Sequence, residues 1–185
     1  MNKSSLKYEL MDALVSVGWT HKIQEKQSEL YLKKAQNFQL IQLVSSGIAS
    51  STLLANIQGS IGWVMWLTAI SSLISFAFSG ILKAYNYDEL SKDNKRYANQ
   101  QFIIREKIIR LLYSLINETN LDEIMLEWSD LNKERIELSE HAPMTTPKAC
   151  DLASYELKSR GDNKRHEDYA LFLSEHILEN LNNVK

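Results

Sequence analysis

Cysteine is almost absent from this 185-residue chain. Cys150 stands alone, which excludes an intramolecular disulfide framework and any zinc site built on several thiolates. Proline is nearly as scarce: Pro143 and Pro147 are the two, so the long stretches on either side are free to be helix. No cleavable signal peptide is expected, because Lys3, Lys7, Glu9 and Asp12 interrupt the N-terminus and no apolar run follows them. The most informative absence is of charge. Charged residues make up 24% of the chain, yet the 48 residues from Ala35 to Leu82 contain no Asp, Glu, Lys, Arg or His.

A bilayer core of about 30 Å takes about 20 helical residues to cross. The uncharged stretch holds two such spans, about 38–57 and 61–82, around a turn where Ala55-Asn56-Ile57-Gln58-Gly59-Ser60 gathers breaker residues. The second span is the more apolar. Trp63 and Trp66 stand at one end and Tyr85 and Tyr87 at the other, as aromatic side chains do at headgroup level. Lys33, Lys34 and Lys83 flank the hairpin and complete the set of interface anchors. The first span carries Gln42, Ser45, Ser46, Ser50, Ser51, Thr52 and Asn56, so it inserts well only when paired with the second. The competing reading, a buried hairpin in a soluble domain, conflicts with the missing charged outer face.

Charge placement orients the hairpin. Residues 1–34 sum to +2 (six basic, four acidic) and residues 83–117 to +3 (seven basic, four acidic), while the turn has no charge. The excess of Lys and Arg beside the spans puts both termini in the cytoplasm of a multi-pass inner-membrane protein. Residues 118–185 sum to −7 (eight basic, fifteen acidic) and should stand off from anionic headgroups. The expected organisation is therefore all-α in four parts: cytosolic N-terminal helices over 1–34, the hairpin over 35–82, a membrane-proximal long helix over 83–117, and a cytosolic helical region over 118–185.

Within the spans, polar residues form stripes. Thr68, Ser72, Ser75 and Ser79 fall within about 60° of one another on a helix, and Gln42, Ser45, Ala49, Thr52 and Asn56 do nearly the same. Small and hydroxylated residues let membrane helices pack closely and bond across. They also suit a hydrated path, provided several copies assemble, because two helices cannot enclose a pore. Both readings stay open at this level.

Outside the hairpin, apolar spacing predicts a short helix over 5–17 (Leu6, Leu10, Leu14, Val17), broken by Gly18, and a second helix from Trp19 into the first span. The long helix over 83–117 fits a heptad frame with Tyr87, Asn94, Gln101, Ile108 and Leu115 in one set and Leu90, Tyr97, Ile104 and Leu111 in the other. Its seam suits packing on residues 5–34 or coiling between copies. Asn120 and Glu123 resemble a capping box and start a helix over 121–140 with Leu121, Ile124, Met125, Trp128, Leu131 and Leu138 inward. A loop over 141–147 precedes a helix near 148–159. A last helix over 164–182 turns Tyr169, Phe172, Leu173, Ile177 and Leu181 inward.

No constellation for catalysis emerges. Neither a G-x-G-x-x-G sequence nor a Walker loop occurs, and His21, His141, His166 and His176 form no H-E-x-x-H motif. Glu137 and His141 are one turn apart, a spacing common on solvated surfaces. Lys158, Arg160, Lys164, Arg165 and His166 form a basic cluster that suits either a solvated loop or a phosphate-bearing ligand. No enzyme, cofactor, metal or nucleic-acid partner is expected.

Three stretches carry a family likeness: Trp19-Thr-His-Lys-Ile-Gln-Glu-Lys26 ahead of the hairpin, Tyr87 to Gln101 running into Leu111-Leu-Tyr-Ser-Leu115 after it, and Ala142-Pro-Met-Thr-Thr-Pro147 before a final helical pair. Together they resemble the SLATT family of bacterial two-transmembrane effector domains associated with nucleotide-signalling conflict systems. Where that family carries arginines after the Trp-Thr pair, this chain has Lys22, Gln24 and Lys26. The resemblance implies a membrane effector of antiviral defence with no catalytic residues. Such a protein stays quiet until a nucleotide signal or sensor partner triggers it, then forms a homo-oligomer and breaches the bilayer in abortive infection. The alternative is a non-pore anchor that holds a cytosolic partner.

Overall fold

The computed structural model describes residues 2–58, 62–117, 120–158 and 172–183, and no strand occurs among them. The helices are α1 (Lys3–Gln58), α2 (Gly62–Tyr85), α3 (Tyr87–Ile116), α4 (Leu121–Glu140), α5 (Pro147–Lys158) and α6 (Glu175–Asn183). The all-α expectation holds. The chain divides into two compact units, Met1–Gln27 with Asp93–Lys185, and Ser28–Lys92. Both α1 and α3 contribute residues to each.

The first unit is built on the apolar spacing of α1 and α3. Leu6, Leu10, Leu14 and Val17 pack against Ile104, Ile108, Leu111, Leu112 and Leu115 in one core, which Ile124, Trp128 and Leu131 of α4 join. The heptad seam is thus spent inside the molecule. Leu90, assigned to that seam from its spacing, is exposed, and Ser91 is buried instead. The α4 helix has its expected bounds, and Asn120 caps it by accepting a hydrogen bond from the Asp122 amide at 3.2 Å.

Several boundaries differ from expectation. Gly18 does not break the first helix: α1 runs through it for 56 residues. A Cβ at Gly18 would lie 2.4 Å from the Phe172 ring, so this glycine serves close approach rather than termination. The long helix over 83–117 is interrupted by Asn86, whose φ of 43° ends α2 at Tyr85 and lets α3 begin at Tyr87. Asparagine is among the few residues that visit this region routinely. The last helix is shorter than its apolar pattern suggested. It starts at Glu175, where the Ile177 and Leu178 amides donate to the Ser174 carbonyl, and Phe172 and Leu173 precede it. Tyr169, the basic cluster from Arg160 to His166 and the Gly161 loop lie outside the described residues.

Residues 21–27 of α1 are gripped on several faces at once. His21 Nδ1 donates to the Ala98 carbonyl at 2.8 Å, and Lys95 of α3 donates to Glu25 at 2.9 Å. Gln24 donates to the Pro143 carbonyl at 3.0 Å. Gln27 Oε1 accepts from both the amide and the hydroxyl of Thr146, each at 2.8 Å. Lys22 and Lys26 reach Glu156 of α5 at 2.8 and 2.6 Å. At 100° per residue these side chains point around most of the helix. The three stretches singled out in the sequence therefore meet in one polar junction.

Candidate membrane hairpin and its polar ladder

The second unit is a helical hairpin made of the distal part of α1, α2 and the first turns of α3. Residues 59–61, the centre of the expected turn, lie outside the described ones, and α1 stays helical through Gln58. Among the described residues one helix is long and apolar enough to cross a membrane by length and composition. It lies in Gly62–Ile116, with a mean hydropathy of 1.7 over its best window. Of that window only 11% is buried within the molecule, whereas the core helix of a soluble domain is mostly buried. At about 1.5 Å per residue, the 24 residues of α2 extend about 36 Å, enough for a core of about 30 Å. The distal part of α1 carries Gln42, Ser45, Ser46, Ser50, Ser51 and Thr52 among its apolar residues.

The polar residues of the two arms meet each other. Gln42 donates to Ser79 at 2.8 Å, Ser46 and Ser75 share a hydrogen bond at 2.6 Å, and Thr68 donates to Thr52 at 2.6 Å. Positions rise along α1 as they fall along α2, so these are rungs of an antiparallel pair. Several hydroxyls also bond their own helix one turn back: Thr52 donates to the Ile48 carbonyl and Ser79 to the Ser75 carbonyl. A hydroxyl both donates and accepts, so it can satisfy a rung and a backbone carbonyl together.

Not every residue of the expected stripes joins the ladder. Ser45 is buried but donates to the Ile41 carbonyl at 2.7 Å, while its neighbour Ser46 makes the rung. Ser72 is exposed and Ser71 is buried in its place. The Asn56 side chain lies outside the described ones. Both substitutions are one-residue shifts. Positions i+3 and i+4 lie about equally close to a helical stripe, so polar spacing alone could not choose between them. The apolar spacing of Val64, which is buried, would have favoured Ser71.

The outward faces are mostly apolar, with Ser50, Ser51 and Ser72 exposed among the apolar residues. Leu43 is 71% exposed, Leu73 71% and Phe76 79%. Among the interface anchors, Trp63 and Trp66 are exposed at the start of α2. Near the other end of α2, Tyr85 and Tyr87 stack across the Asn86 break with centroids 5.4 Å apart and planes 7° from parallel. Tyr87 also meets Tyr31 and Phe38, and Lys34 lies 5.5 Å from its ring centre. Lys33 and Lys83 are exposed. Ser28 and Ser91, buried together, bond at 3.1 Å and to each other's carbonyls. Among the described residues no cluster of His, Cys, Asp and Glu is disposed to hold a metal ion.

The model of the SMODS and SLOG-associating 2TM effector domain family 4 matches residues 6–168, a range that runs from the first turn of α1 through α5 and contains the hairpin and the polar junction. No curated protein and no solved structure matches the chain.

Proposed function

The chain belongs to the SMODS and SLOG-associating 2TM effector domain family 4, and from that premise we propose that it permeabilises its own membrane when a nucleotide signal or a sensor partner triggers it. Membership makes it a membrane effector associated with nucleotide-signalling conflict systems. In the proposed mechanism the hairpin is quiet while its polar side chains bond one another. On triggering, several copies assemble, and the ladder exchanges its intramolecular partners for neighbouring copies and water. The breach arrests or kills an infected bacterial cell. Both termini face the cytoplasm in this reading, as the lysines beside the hairpin favour.

The observation that carries the reading is the ladder. An interhelical hydrogen bond between membrane helices contributes about 0.6 kcal/mol on average, so three rungs amount to about 2 kcal/mol. A trigger with roughly thirtyfold preference for the open arrangement supplies that much. The ladder is thus strong enough to hold one state and weak enough to be exchanged. Meanwhile the apolar outer faces keep both states in the bilayer.

The test is induced expression of the full chain, with and without its triggering system, while a potential-sensitive dye and growth are followed. Depolarisation and arrest only under triggering is the expected result. Intact potential and normal growth under triggering would sink the reading and leave the non-pore anchor in its place.

A further inference from the structure

The polar junction in the first unit contains an arrangement that neither the core nor the hairpin requires. Lys22 and Lys26 lie one helical turn apart on α1, and each takes one oxygen of the same carboxylate. Lys22 is 2.8 Å from Glu156 Oε2 and Lys26 is 2.6 Å from Oε1. The two sides differ in burial. The Lys26 side chain is 10% exposed, whereas Glu156 is 42% exposed. A cation so enclosed needs an anion beside it, but the anion it has faces solvent. Glu156 stands on α5, whose Leu152 and Tyr155 are also exposed. Such a partner is replaceable without opening the core.

We propose that Lys22 and Lys26 form a binding site for a phosphate-bearing ligand, filled in this structure by the Glu156 carboxylate. Two oxygens on one centre bridging two ammonium groups is an arrangement a phosphate group reproduces. A terminal phosphate brings about −1.5 to −2 charges against one for the carboxylate, so it gains more from the same two cations. The Glu156 carboxylate holds the site because it is tethered and its effective concentration is in the millimolar range. When the ligand binds, α5 loses the Glu156 ion pairs to α1 and keeps the hydrogen bonds of Gln27 to Thr146. The site rests on the effector reading only for its consequence, since its chemistry stands on the junction alone.

Calorimetric titration of the full chain in detergent micelles with inorganic pyrophosphate tests it. Wild type should bind weakly. Glu156→Gln removes the carboxylate that bridges both lysines, leaving Glu25 at 3.5 Å from Lys22, and should bind at least tenfold more tightly. Adding Lys22→Gln and Lys26→Gln to that variant should abolish binding, with helicity checked by circular dichroism. If the triple variant loses helicity, Lys22→Gln alone, at the less buried lysine, should still weaken binding at least fivefold. Equal affinity of wild type and Glu156→Gln overturns the proposal, as does binding that survives loss of the lysines. Repeating the titration in phosphatidylcholine and phosphatidylglycerol nanodiscs separates the two sources of phosphate. Binding retained in both supports a soluble ligand, and binding lost only in phosphatidylglycerol supports a lipid headgroup in the same site. Because the readout is heat and not potential, failure to bind and failure to depolarise are distinct results.

Discussion

Two single residues set the course of the backbone, and each yields a prediction. At Gly18 the Phe172 ring occupies the space a side chain would take. Gly18→Val should destabilise the chain by roughly 1–3 kcal/mol through overpacking. In a double-mutant cycle with Phe172→Ala much of that cost should vanish, because the two changes share one volume. Additive thermal-denaturation values would show that the ring is not what the glycine accommodates. At Asn86 the positive φ tolerates glycine, while a β-branched residue is strained there by about 1–3 kcal/mol. Asn86→Gly should therefore retain wild-type stability and Asn86→Val should lose it, as read by melting in detergent. Neither role was legible in the sequence. Gly18 looked like a helix breaker because its tertiary neighbour lies more than 150 positions away, and Asn86 sits in a polar stretch where helical spacing runs on uninterrupted.

At the scale of elements, the ladder between α1 and α2 separates rung residues from bystanders. Ser75→Leu removes the Ser46 partner and should weaken association of the two arms, whereas Ser72→Leu, at an exposed position, should leave it unchanged. Steric trapping or proteolytic susceptibility in bilayers reads this difference, and equal effects at both positions would contradict the observed register. The contact of α1 with α5 has a pH signature. The hydrogen bonds from Lys22 and then Lys26 hold the Glu156 carboxyl below its ordinary value of 4.5, outweighing the opposing effect of burial. The folded state thus binds that proton less readily than the unfolded chain. The contact contributes stability above pH 4.5, and that contribution is lost as pH falls through the depressed value. Burial pushes the Glu25 carboxyl up, but the hydrogen bond and charge of Lys95, with Lys22 and His21, bring it below its ordinary value, so it acts in the same direction. The amide protection factors of α5, rates taken relative to the intrinsic rate at each pH, should fall on acidification below about pH 4.5, and Glu156→Gln should remove the larger part of that step. A pH-independent α5 would mean that the ion pairs do not hold it.

For the whole molecule, the effector reading predicts assembly: crosslinking in native membranes should give ladders above the monomer under triggering, and a monomer under every condition would contradict it. The acidic C-terminal region also takes on a different standing. Spacing and charge marked residues 118–185 as separate, yet α4 and α6 complete a core whose other half comes from α1 and α3. A fragment of 118–185 would therefore expose Ile124, Trp128, Leu131, Ile177 and Leu181 and is no fair probe of partner binding. By itself the sequence determined the all-α class, the long uncharged stretch and its aromatic ends, and the bounds of α4. Those follow from local composition, spacing and caps, which act within a few turns of chain. Only the tertiary structure decided that Ser46, beside buried Ser45, makes the rung to Ser75, and that Ser71 is buried and Ser72 exposed. It alone placed Lys22 and Lys26 on Glu156 and made Gly18 a site of close approach. Each of these depends on which residue stands opposite, and a helical pattern of one strand of sequence carries no information about its partner's rotation.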